Sequence, residues 1–276
     1  PQAAKVKAVI EKAEESVKDP QAAKVKAVIE KAEQLLPGRK MSEWQRSWCT
    51  RETVEIYVRG RDGDTEKAAE ILAEALSWRA QYQEVLSGAR VPRWQSDFRV
   101  LARAESGHPI LFCCLRHVMV GDTQATIESM AVVFEEGVRS MRGDAKQYDV
   151  VLDIHGFSFR HMNPSPMIPF FRMMRQPFRD RLRTIILVGA SRAFSFLTQM
   201  TRPMMDEKTH KKVIFKPPTE AVAHVSRVAG NKAGQTLQAM LDLDREGKDC
   251  QPGEIPGRRM PSELDDRFIP EVACGA

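Results

Sequence analysis

Two hydrophobic rhythms divide the chain. Up to about residue 90, apolar positions recur every three to four places, the spacing of one face of a helix. The clearest stretch is DTEKAAEILAEALSWRAQYQEVL, residues 64–86. There Ile71, Leu72, Ala75, Leu76, Tyr82 and Leu86 share a broad face, and Asp64 stands where an N-cap belongs. Ahead of it lies an identical repeat, PQAAKVKAVIEKAE at residues 1–14 and again at 20–33. Val6, Val9, Ile10 and Ala13 fall in helical step in the first copy, and Pro1 and Pro20 each suit a first helical turn. This reads as one duplicated amphipathic helix rather than a solenoid, which needs about three repeats to hold a core. QLLPGRKMS, 34–42, breaks the pattern.

After residue 90 the rhythm changes. PILFCCLRHVM (109–119), YDVVLDI (148–154), RTIILVG (183–189) and KVIFK (212–216) are short apolar runs rich in β-formers. Helical stretches separate them: 123–141, with Ile127, Met130, Phe134, Val138 and Met141 in step, then about 165–180, then 193–205. Continuous apolar strands alternating with helices predict an α/β domain with a mostly parallel sheet covered by helices. The predicted organisation is a duplicated helical repeat (1–38), a helical module (43–90), the α/β domain (91–246) and a tail (247–276) rich in Pro, Gly and charge.

Composition narrows the classes. The chain has 276 residues, 42% hydrophobic and 29% charged, as a water-soluble globular protein has. It holds no run of the roughly 18 apolar residues that span a bilayer, and no signal-peptide pattern at its start. It opens at Pro1 rather than Met, as a fragment or a processed protein would. Five scattered cysteines without a C-x-x-C pair argue against a disulfide framework and against a metal site, and fit a reducing, cytosolic setting. Cys113 and Cys114, side by side in an apolar run, read as core residues. No cofactor motif stands out.

The net charge of +5 favours anionic partners. The basic residues gather in RMMRQPFRDRLR (172–183) and KTHKK (208–212). Neither is a low-complexity arm, and only Phe178 is aromatic, so the pattern does not support nucleic-acid binding.

GASRA, 189–193, resembles the strand-to-helix elbow that carries a catalytic serine. The partners that Ser191 would need are poorly placed. Asp206 and His210 share one short segment, and His224 lies in a helical stretch with no strand before it. Ser191 is better read as the cap of the following helix.

A family resemblance joins these segments. A helical module with YVRGRDGD (57–64) and LSWR (76–79) precedes AESGHPI (104–110), then DIHG (153–156), FRDRL (178–182), GASRAF (189–194) and PMMDEKTHKKV (203–213). In order and spacing these resemble motifs of the CRAL-TRIO lipid-binding domain of yeast-type phosphatidylinositol transfer proteins. The resemblance covers about 45–216, with a faint echo to 266. Departures include Gly189 and Ser191 where the family has Asn and Pro, and MPSELDD (260–266) for its closing motif.

The resemblance implies a non-enzymatic fold enclosing a lipid pocket, behind a gate helix that swings at the membrane. In that helix stand Phe194, Phe196, Leu197, Met200, Met204 and Met205. Carried over by position, the residues that hold phosphatidylinositol in such proteins are Arg61, Asp180, Thr209 and Lys212. Cations and a hydroxyl suit a phosphodiester, and a carboxylate suits inositol hydroxyls. Tyr148 and Val150 replace the hydroxyl residues that hold phosphatidylcholine. Arg172, Arg175, Arg179, Lys208 and Lys211 are candidates for docking on anionic membranes, at ~1 kcal/mol per charge. The expected partners are thus a phospholipid or another hydrophobic lipid, a transiently contacted membrane, and a protein bound through the repeated helices. The alternatives are a lipid-sensing scaffold and, last, a hydrolase using Ser191.

Overall fold

The computed structural model describes residues 19–93, 97–118, 122–161, 163, 165–189, 191–202 and 207–246. The first repeat copy and the tail lie outside the described residues. The chain forms two compact units, one running to Gln83 and including Met173–Arg179, the other made of Glu84–Arg172 and the chain from Asp180 onward.

The first unit is built from helices α1 (Pro20–Leu35), α2 (Glu43–Trp48), α3 (Arg51–Arg59) and α4 (Thr65–Gln81). Each start is capped by a side-chain oxygen. Asp19 accepts from the Gln21 and Ala22 amides, Ser42 and Gln45 form a reciprocal box, Thr50 accepts from Thr53, and Asp64 accepts from Glu66 and Lys67. The second repeat copy is α1, and it turns Val25, Val28 and Ala32 into a core shared with Val54, Tyr57, Leu72 and Leu76. Buried Arg79 lies over the rings of Trp44, at 5.0 Å, and Trp48, at 4.5 Å. The segment 173–179 joins this unit through specific contacts. The Tyr57 hydroxyl donates to the Gln176 carbonyl at 2.7 Å, and Phe178 packs edge-on against Trp78.

The second unit is a five-stranded sheet: β1 (Phe98–Arg103), β2 (Pro109–Cys114), β3 (Tyr148–Asp153), β4 (Leu182–Val188) and β5 (Val213–Lys216). The strands lie in chain order, with β1 antiparallel to β2 and every other pair parallel. Such an order advances one strand at a time, so right-handed crossovers put the connecting helices on one face. These are α5 (Thr123–Arg139), α6 (Met167–Arg175) and α7 (Arg192–Thr201). On that face Phe134 of α5 stacks on Tyr148 at 5.4 Å and meets Phe98 edge-on at 5.0 Å. The other face is covered by a hairpin of α8 (Pro218–Ala229) and α9 (Asn231–Arg245), whose Ala221, Val225, Leu237 and Leu241 pack with Phe112, Val151 and Ile186.

The α/β architecture predicted from the hydrophobic pattern is therefore present. Three local differences have physical reasons. The sequence reading missed β1, because FRVLAR carries two arginines and offers no continuous apolar run. The run 109–119 ends as a strand at Cys114, after which Leu115–Val118 coils into a single helical turn. Helix 64–86 stops at Gln81, with Gln83–Ser87 as a separate turn.

Candidate functional site

The site is laid out along β4. At the carboxyl end the chain turns through Gly189 at φ +92°. A Cβ there would stand 3.1 Å from the His155 amide nitrogen and 3.3 Å from its Cα. Backbone angle and space both require glycine, which accounts for Gly189 where the family carries Asn.

Ser191 follows as the N-cap of α7. Its hydroxyl accepts from the Phe194 amide at 3.1 Å and donates to the Phe157 carbonyl. Proton and acceptor are both engaged by backbone, and no histidine nitrogen bonds to it among the described residues. The geometry is that of a cap, as the sequence predicted.

Helix α7 divides its apolar residues between two environments. Phe194 and Leu197 are buried, at 8% and 5% exposure, whereas Phe196 is 44% exposed. The Phe196 ring lies against Phe159, itself 59% exposed, with centroids 5.8 Å apart. Ile168 and Phe215 are also exposed. Phe159 was missed from sequence; the signal was the pair of aromatics in GFSF just after the second apolar run, YDVVLDI. The side chain of Met200, and all of Met204 and Met205, lie outside the described residues.

At the amino end of β4 stand three of the four predicted headgroup residues. Lys212 donates through Nζ to the Leu182 carbonyl at 2.6 Å. Its own amide bonds to the Thr209 carbonyl at 3.1 Å, which places Thr209 in the preceding turn. Asp180 precedes Leu182 by two residues and sits at φ +54°, its carbonyl accepting from the Gln147 amide group at 3.0 Å. Left-handed backbone is tolerated by Asp better than by longer side chains, which gives a reason for Asp where the family has Glu. Arg61 belongs to the first unit, in the turn after α3.

The basic candidates are differently placed. Arg172 and Arg175 are exposed, and Lys211 is exposed and paired with Glu207 at 2.8 Å. Arg179 is half-buried and donates to the Gly60 carbonyl at 3.2 Å. The Lys208 side chain lies outside the described residues. Among the described residues no helix is long and apolar enough to cross a membrane.

Known proteins match this region. The CRAL/TRIO domain family matches residues 100–229, from β1 to the end of α8. "Protein real-time" of Aedes aegypti is 21% identical over 188 residues, which are 59% of this chain and 29% of that protein. The chain thus spans under a third of that relative's length. The crystal structure of Sfh5 covers 60% of this chain and 63% of its own, at 12% identity and a TM-score of 0.49. Five of the motifs, from AESGHPI to PMMDEKTHKKV, and the turn capped by Ser191 lie inside the segment 100–229 that matches the CRAL/TRIO domain, while YVRGRDGD and LSWR precede it.

Proposed function

We propose that the second unit holds one lipid molecule and passes it between membranes without chemistry, with phosphatidylinositol as the favoured ligand. The observation that carries this reading is the span of β4. Its first residue, Leu182, two places after Asp180, accepts from Lys212, whose amide bonds to the Thr209 carbonyl, and its carboxyl end feeds the half-exposed helix α7. Seven residues of strand separate the two ends. At ~3.3 Å per residue that is roughly 23 Å, about the depth of one bilayer leaflet. A phosphodiester and its inositol ring would meet an ammonium, a hydroxyl and a carboxylate at one end. The acyl chains would run toward Phe194 and Leu197 at the other.

Release requires α7 to swing away, and the exposed Phe196 and Phe159 supply its contact with the membrane interface. Arg172 and Lys211 add attraction to anionic headgroups. In this reading Ser191 is a hinge-side cap, and the protein is cytoplasmic with transient membrane contact.

The test is native mass spectrometry with lipid extraction on the wild type, Lys212→Ala and, as a separate variant, Arg61→Ala. Stoichiometric phosphatidylinositol that disappears in Lys212→Ala supports the full reading. An apolar lipid retained by that variant keeps lipid binding and rejects the headgroup residues. A chain that takes up no lipid from any extract or vesicle rejects the function.

A further inference from the structure

The second unit holds a buried polar cluster that lipid binding does not use. Asp97 immediately precedes β1, Cys114 ends β2, His117 lies in the helical turn that follows, and Asp244 comes from the last turn of α9. One donor atom from each lies within 4.8 Å of the other three. All four side chains are buried, His117 being 7% exposed and Asp244 2%.

The fold assembles these groups from four separate places. The Cys114 amide bonds to the Asp97 carbonyl at 2.9 Å, which fixes the first pair across β1 and β2. The turn Leu115–Val118 then brings His117 back over the strand end. Arg116, from the same turn, donates to the Asp244 carbonyl at 2.7 Å and ties the end of α9 to it. Asp97 and Asp244 both lie outside the family match at 100–229.

Cys114 and Asp244 share a hydrogen bond, but the histidine between the carboxylates has none. Among the described residues neither ring nitrogen of His117 has a hydrogen-bond partner, and neither does Oδ2 of Asp244. His117 Nδ1 faces both carboxylates, at 3.8 Å from Asp97 and 3.9 Å from Asp244. Those gaps exceed hydrogen-bond length, and buried polar groups left this way are costly. They are close to the roughly 3.3–3.7 Å edges of a tetrahedron built on zinc–ligand bonds of about 2.0–2.3 Å.

We propose that Asp97, Cys114, His117 and Asp244 form a closed, structural site for a zinc-type divalent cation. One sulfur, one imidazole nitrogen and two carboxylate oxygens suit a borderline transition cation, whereas calcium and magnesium take oxygen throughout. Binding converts the Cys114 thiol to a thiolate and releases its proton to solvent. Two carboxylates and a thiolate around the dication leave one negative charge, which Arg99 meets by donating to Asp97 at 2.6 Å. With four protein donors the shell has no open position, so the ion would pin α9 to the sheet rather than take part in chemistry. The inference stands on this geometry and is independent of which lipid is carried.

The test uses the full chain, stripped with chelator and titrated with Co²⁺, then with Zn²⁺. One Co²⁺ per chain is expected, with a thiolate-to-cobalt charge-transfer band, intense tetrahedral ligand-field bands, and displacement by Zn²⁺. Cys114→Ser should remove the charge-transfer band while Cys113→Ala keeps it, each fold being checked by far-UV circular dichroism. His117→Gln, which leaves the thiol in place, should weaken Co²⁺ binding by roughly tenfold or more. A wild type with no charge-transfer band, or a band that survives Cys114→Ser, overturns the site. So does a Zn²⁺-induced rise in Tm of equal size in the wild type and in His117→Gln.

Discussion

Phe159 and Phe196 lie ring against ring at 5.8 Å, their planes inclined at 59°, while each keeps a large part of its surface in water. Two aromatics so paired gain little from folding and much from entering an interface. The double variant Phe159→Ser/Phe196→Ser should therefore bind anionic vesicles roughly ten- to a hundredfold more weakly, while its Tm changes little. Vesicle co-sedimentation beside a thermal melt checks both halves. Undiminished binding would remove the aromatic pair from the membrane-facing surface.

The Ser191 hydroxyl serves two backbone groups, the Phe194 amide and the Phe157 carbonyl. Ser191→Ala is expected to cost about 1–2 kcal/mol, the usual loss of a cap, and to leave ester hydrolysis at the buffer rate in both proteins. Urea unfolding measures the first, and a chromogenic short-chain ester the second. Turnover in the wild type that vanished in the variant would return Ser191 to the role of nucleophile.

At the α8–α9 hairpin, a Cβ on Gly234 would fall 1.8 Å from Ser226 Oγ and 3.2 Å from the Val222 carbonyl. Gly-to-Ala inside a helix ordinarily stabilises by about 0.5–1 kcal/mol. Here the sign should reverse, with Gly234→Ala losing about 1–3 kcal/mol through overpacking. In a Ser226→Gly background the loss should shrink by roughly 1 kcal/mol or more, a coupling that a double-mutant cycle reads directly. Additive single effects would contradict the close approach of the two helices.

His224 is half-buried on α8, and burial pushes its pKa below the usual 6.5. Lys216, Arg227 and Arg183 push in the same direction, and Asp149 opposes them. The folded protein thus prefers the neutral ring. Its contribution to stability is complete above the unfolded value of 6.5 and is lost as pH falls through the lower folded value. Between about pH 7.5 and 5.5 the urea midpoint should fall less steeply in His224→Gln than in the wild type. Equal slopes would show that the imidazole titrates as it does in the unfolded chain.

What was legible in the sequence follows from how each feature is encoded. The parallel strands announce themselves because both faces are covered, so YDVVLDI and RTIILVG carry unbroken apolar runs. Strand β1 does not, because at the antiparallel edge it mixes Arg99 and Arg103 with apolar residues. Ser191 was readable as a cap, since capping is local chemistry between residues three apart. The Phe159–Phe196 contact was not, because it joins segments 37 positions apart and depends on which face of α7 meets water. The cluster of Asp97, Cys114, His117 and Asp244 was further out of reach. A search for C-x-x-C spacing sees ligands only in pairs along the chain, and here the approach to β1, the end of β2, a turn and a distant helix supply them singly.

The hairpin of α8 and α9 also sets an order of events during synthesis. Phe112, Val151 and Ile186 are made first, and the residues that cover them, Ala221 to Leu241, follow only after every strand of the sheet. Until then a nascent chain can pair its parallel strands but presents one whole face of them uncovered, the kind of surface that chaperones hold and that aggregates form on. A chain released just after β5 would keep that exposed face for its lifetime. The closing hairpin thus makes its own emergence from the ribosome the moment at which the second face of this sheet is covered.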